Sequence, residues 1–152
     1  MNHKFSMDFK SLAYVCSEGG RHSGGNKLKQ FSWPLDGSPS KTIVDCVDLP
    51  SDVAEFGGLY GYHASYVHSG YLKGSNRYFI VPSDFKGQER IFLIDTLTGK
   101  VRHLSLDHVN AKKGGSYELM LRKDDFLIVK YSHTNLPSHV FIVRFKSIEE
   151  NL

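Results

Sequence analysis

Three runs stand close together in the middle of the chain: Arg77-Tyr78-Phe79-Ile80-Val81-Pro82, Glu89-Arg90-Ile91-Phe92-Leu93-Ile94-Asp95-Thr96 and Val101-Arg102-His103-Leu104. The first two are rich in β-branched and aromatic residues, and turn formers bound all three. The second passes to the third through Leu97-Thr98-Gly99-Lys100. That is room for a tight antiparallel reversal only, because a parallel crossover needs about a dozen residues or more. Strand, loop, strand ending in Asp, glycine turn, strand is a common way of writing one blade of a β-propeller. A blade is rarely a catalyst, so this feature makes the chain part of a larger assembly with its chemistry elsewhere.

The same grammar extends in both directions. Strands are predicted over Ser11–Cys16, Lys27–Trp33 and Thr42–Val47, the second alternating polar and apolar as a half-buried strand should. These three read as the last strands of one blade. A glycine-rich loop, Glu18–Gly25, lies between the first two. After a long connection, Asp48–Gly58, strands are expected around Leu59–His63 and near Ser69–Leu72. Beyond a loop over Asp107–Gly115 come Tyr117–Arg122, a turn at Lys123-Asp124-Asp125, Phe126–Tyr131, a loop over Ser132–Ser138 carrying Pro137, and a last strand, His139–Phe145. Helical periodicity amounts to one turn at Asp52–Phe56. The fold class is therefore all-β: antiparallel four-stranded blades forming a partial β-propeller of two to three blades. One domain covers residues 1–152, with blade pieces at about 5–47, 59–105 and 116–146.

A weak internal repeat supports this. Ser6–Val15 and Leu72–Val81 each place a polar turn before an apolar strand, and Lys123–Val129 repeats the theme 48 residues after the second copy.

Composition removes several classes. The net charge is +3 and the cations are scattered, with Lys112-Lys113 the densest group. Nucleic-acid binding needs a continuous basic face, so no nucleic-acid partner is expected. No apolar run approaches the length of a membrane span, and the first residues lack a signal-peptide core, so neither membrane nor secretion is expected. Cys16 and Cys46 are too few for a disulfide framework and fit a reducing, cytoplasmic setting.

No site residue is assigned, whether catalytic, cofactor-binding or metal-binding. The chain has no Gly-x-Ser-x-Gly, the elbow that exposes a serine nucleophile beside its oxyanion hole. Gly115-Ser116-Tyr117 and His68-Ser69-Gly70 lack the second glycine and the following helix. His63 and His68, like His103 and His108, stand five apart, which puts them on opposite faces of an extended segment. Gly19–Lys27 lacks the Gly-Lys-Ser/Thr of a phosphate loop. Tyr60, Tyr62, Tyr66 and Tyr71, with His63 and His68, are the most unusual local composition. Two readings stay open for them: packing between sheets, or a surface that helps shape an entrance.

The run Tyr71–Phe145 resembles the propeller of acylaminoacyl-peptidase (acylpeptide hydrolase), of the prolyl oligopeptidase family. Arg90–Thr96 with Thr98-Gly99-Lys100-Val101 carries the likeness, followed by Gly114-Gly115-Ser116-Tyr117-Glu118-Leu119, Asp125–Ser132 and Leu136-Pro137-Ser138. Lys4–Asp8 and Ser11–Val15 resemble the family's blade-opening strand. The resemblance implies a seven-bladed propeller joined to a C-terminal α/β-hydrolase domain that holds a Ser-Asp-His triad. The propeller would screen access, so that an N-acylated residue is removed only from short peptides. It implies further partners for this segment: N-acylated peptides, the hydrolase domain of the same parent chain, and copies of itself in a homo-oligomer. The chain stops at Leu152, so the catalytic domain and the remaining blades are expected to be absent and the isolated chain inactive. A stand-alone propeller-type interaction module is the alternative.

Overall fold

Three antiparallel sheets follow one another along the chain. The computed structural model describes residues 3–17, 25–47, 56–61, 66–104, 115–123 and 125–144. The first sheet holds β1 (His3–Phe5), β2 (Ser11–Ser17), β3 (Asn26–Ser32) and β4 (Lys41–Val44), in that order. The second holds β5 (Gly70–Tyr71), β6 (Tyr78–Phe85), β7 (Gln88–Asp95) and β8 (Val101–His103). The third holds β9 (Ser116–Lys123), β10 (Phe126–His133) and β11 (Leu136–Arg144). The described residues contain no α-helix. The one-turn helix expected at Asp52–Phe56 and the loops over Glu18–Gly25 and Asp107–Gly115 fall largely outside the described residues.

Local chemistry explains the best-marked strands. Tyr78 pairs with Asp95 and Phe85 with Gln88, so β6 and β7 form a hairpin closed by Lys86-Gly87. Asp95 then organises the next reversal. Its carboxylate accepts from the Leu97 N–H at 3.0 Å and the Thr98 hydroxyl at 2.8 Å, and its carbonyl accepts from the Gly99 N–H at 2.8 Å. Gly99 sits at φ +74°, a conformation that costs glycine nothing. Arg77 clamps the same carboxylate through two nitrogens, at 2.8 and 2.6 Å. That bidentate contact is the chief reason the Asp95 carboxyl lies far below the usual carboxylate range.

The second sheet is the filling of a sandwich. Its Phe79, Val81, Phe92 and Ile94 pack on Ala13, Val15 and Leu28 of the first sheet. Its Ile80, Ile91 and Leu93 pack on Leu119, Leu127, Val129, Tyr131 and Val143 of the third. Both faces of β6 and β7 are thus covered, which their unbroken apolar runs require. The outer sheets are covered on one face and alternate: Leu28 and Val15 point inward, Tyr14 and Phe31 outward, where they stack at 5.5 Å.

The three strands expected as the last of one blade are β2, β3 and β4, and β1, paired with β2 through Phe5 and Leu12, opens the sheet. Three other expectations are corrected. Leu59 makes only an isolated bridge to Asn26 instead of opening a strand over Leu59–His63, whose last two residues lie outside the described residues. The loop over Ser132–Ser138 shrinks to Thr134-Asn135, and Pro137 lies inside β11. It is tolerated there because β11 is an edge strand and its register shifts at this point, so no ladder bond is lost. Pro82 is excused similarly: the β5–β6 ladder ends at Ile80, so Pro82 lies beyond it.

The third correction is one of register. Set end to end, the ten-residue copies put Ala13 opposite Phe79. The hydrogen bonds put Leu12 there instead. The Trp33 N–H bonds the Lys10 carbonyl just as the Thr96 N–H bonds the Arg77 carbonyl, at 2.8 and 2.9 Å. Ala13 therefore matches Ile80, and both face the following sheet. With a side-chain period of two, a slip of one residue exchanges the faces of a whole strand.

Candidate functional site

The first strands of the three sheets come together. The Lys4 ammonium on β1 donates to the Val67 carbonyl, just before β5, at 2.8 Å. The Arg122 guanidinium on β9 donates to the Tyr71 carbonyl of β5 at 2.8 Å. In a propeller the blades surround a central channel, and strand edges that converge in this way face it.

Gly70 makes the approach possible. A Cβ at this position would lie 2.6 Å from Arg122 Nη2 and 2.8 Å from its Cζ. Any larger residue would push the guanidinium off β5. Beside it, Ser69 is 1% exposed and its hydroxyl has no hydrogen-bond partner; the buried Nε of Arg122 has none either. Burial, and then the Arg122 charge, pull the Lys4 ammonium below the usual lysine range. Burial pulls Arg122 down as well. Sequence reading missed this edge, because Lys4, Ser69 and Arg122 share no motif.

The tyrosine cluster divides. Tyr66 and Tyr71 are buried, and their hydroxyls accept from Asn26 Nδ2 at 3.0 Å and Gln30 Nε2 at 2.8 Å, tying the second sheet to the first. Burial raises both phenols, that of Tyr71 to about 12. Tyr60 donates its hydroxyl to the Val47 carbonyl, and its N–H bonds Ser83 Oγ at 2.9 Å. These three pack between sheets; Tyr62 and His63 lie outside the described residues.

A carboxylate sits at the other seam. Glu89 on β7 is half-buried against β9, and its N–H bonds Ser116 Oγ at 3.3 Å. Burial pushes its carboxyl up to about 7, with the charges of Glu118 and Asp84 acting the same way and Lys130 opposing. Ser116 thus sits in a strand and serves the inter-sheet seam. Arg90 donates across it to the Gly115 carbonyl at 2.7 Å. Gly115 lies so close under the Tyr131 ring that a Cβ would overlap it.

The histidines are dispersed. His3 lies 5.9 Å from the Tyr14 ring, His103 lies 5.7 Å from Phe92, and His133 accepts from the Asn135 N–H. His63 and His108 lie outside the described residues. Among the described residues no three metal-ligating side chains stand together. No helix there is long and apolar enough to cross a membrane.

Successive antiparallel sheets, stacked face to face and joined in chain order, define a portion of a β-propeller. The solved structure of TolB from Acinetobacter baumannii has this fold: it matches with a TM-score of 0.58 and 18% identity, over 95% of this chain and 30% of that one. The chain therefore spans about a third of the length of that relative. No curated protein sequence matches significantly. The family model of the acylamino-acid-releasing enzyme N-terminal domain matches residues 1–151, and the chain belongs to that family.

Proposed function

We propose that this chain is the non-catalytic propeller portion of a serine peptidase that removes N-acylated residues from short peptides. Its task is to bound the route to the active site and exclude large substrates. The observation that carries this reading is the family match over residues 1–151. The inner edge at Lys4, Gly70 and Arg122 supports it, since it supplies polar groups where a route would pass. The catalytic groups would come from an α/β-hydrolase domain of the same parent chain, in the cytoplasm, with self-association of the parent as a further feature.

The size of the native protein in its source cells tests this. A species several times larger than 17.2 kDa, carrying peptides of this chain together with a Gly-x-Ser-x-Gly segment, is expected. A band near 17.2 kDa alone would sink the reading and favour a stand-alone interaction module. The apolar outer face of the third sheet favours that second reading, with Val140 60% and Ile142 65% exposed. Turnover of an acetyl-alanine chromogenic substrate by the purified chain would overturn both.

A further inference from the structure

The inner edge holds two cations. Lys4 arrives from the first sheet and Arg122 from the third, and both donate to backbone carbonyls of the Val67–Tyr71 segment of the second. No ion pair of Lys4 or Arg122 with a described carboxylate is present. Like charges brought together and partly buried repel and lose hydration. Buried donors left unbonded add to the cost, and here Arg122 Nε and the Ser69 hydroxyl are both unbonded. An acceptor bearing negative charge would relieve all of these terms at once. A planar guanidinium with a spare N–H, together with a lysine ammonium bonded to the same Val67–Tyr71 segment, suits a carboxylate or phosphate oxygen pair.

We propose that Lys4, Arg122 and the Ser69–Gly70 segment form an oxyanion-binding site on the inner edge of the sheets, and that its ligand is a carboxylate of the kind that ends a peptide. Gly70 is the specificity element, because only its missing side chain admits the guanidinium. Reading that carboxylate as the free C-terminus of a short substrate rests on the screening role proposed above. A peptide held by that end enters in one orientation, and its acylated end leads.

The test titrates the chain, at low salt, with inorganic phosphate and with acetyl-Ala-Ala as free acid and as C-terminal amide. Backbone amide chemical shifts over Val67–Tyr71 are followed. The acid and phosphate should give saturable shifts there and the amide none. Lys4→Met, which removes a half-buried ammonium, should weaken binding about tenfold or more. Lys100→Met, an exposed cation elsewhere, should leave it unchanged. Arg122→Lys keeps the charge but loses the fork and should weaken the acid more than phosphate. Absence of saturable shifts in the unaltered chain, or binding indifferent to Lys4→Met, would overturn the site. Phosphate binding without acid binding would overturn the carboxylate assignment and leave the screening role, tested by native size, standing.

Discussion

The second sheet and the two beside it are built from similar strands and live in different surroundings. The second sheet is packed on both faces; the first and third are packed on one. The contrast is sharpest between β7 and β11. In β7, Ile91, Phe92, Leu93 and Ile94 are all buried. In β11, Val143 is buried while Val140 and Ile142 stand open. The difference shows that a continuous apolar run is stabilising only where a sheet lies on each side. The same run on an outer sheet leaves alternate side chains exposed, as Val140 and Ile142 are. The first sheet ends likewise, in Phe5, Phe9 and Trp33, whose rings touch at 5.2 to 5.9 Å and remain partly exposed.

Truncation should expose the contrast most strongly. Phe92 is fully buried, with Phe56 5.0 Å, His103 5.7 Å and Phe85 6.3 Å from its ring. Phe92→Ala should cost about 3–5 kcal/mol, read by urea denaturation. Phe31→Ala, on the outward face of the first sheet, should cost clearly less. Equal losses would mean that the outer face is covered in solution. Overpacking ranks next. Gly115→Ala drives a methyl into the Tyr131 ring at the seam between the second and third sheets, and should cost about 1–3 kcal/mol. A neutral result would mean that the third sheet is loosely held.

The same seam should respond to pH. The Glu89 carboxyl is raised from 4.5 to about 7. A raised acid binds its proton more tightly when folded. Its contribution is fully present below about 4.5, declines as pH rises toward 7, and is lost above that, where burying the ionised carboxylate is uncompensated. Glu89→Gln should therefore gain stability relative to the unaltered chain at about pH 8 and lose that advantage at about pH 5. Melting temperatures at the two values decide it, and a constant difference would remove Glu89 as the cause. The smallest effect belongs to the open face. Ile142→Ser should change stability by no more than about 0.5 kcal/mol, and the proposed self-association, followed by sedimentation, should weaken with it.

Much of the site's surroundings was legible in the residues, and the site was not. The turn at Asp95 could be read because Asp, Thr and Gly make its hydrogen bonds within five residues. The strands Arg77–Leu104 follow from the same local chemistry. Pro137 misled, since a proline stops an inner strand but not an edge, and edge status depends on what lies alongside. The repeat was visible, but its register was not. Ala13 and Leu12 are both apolar, and only the bonds from Trp33 to Lys10 and from Thr96 to Arg77 tell which matches Phe79.

An all-β chain, its hairpins and its family follow from the order of residues, because those depend on neighbours within a few positions and on strand-length patterns. Which faces are covered, that Glu89 is lifted by burial, and that Lys4 and Arg122 both reach the Val67–Tyr71 segment emerge only from the packed sheets. The physical reason is range. Turn hydrogen bonds close within a few positions, whereas sheet-on-sheet packing joins Lys4 to Val67 across 63 residues and Arg122 to Tyr71 across 51. Burial and charge proximity take their values only after that packing has occurred.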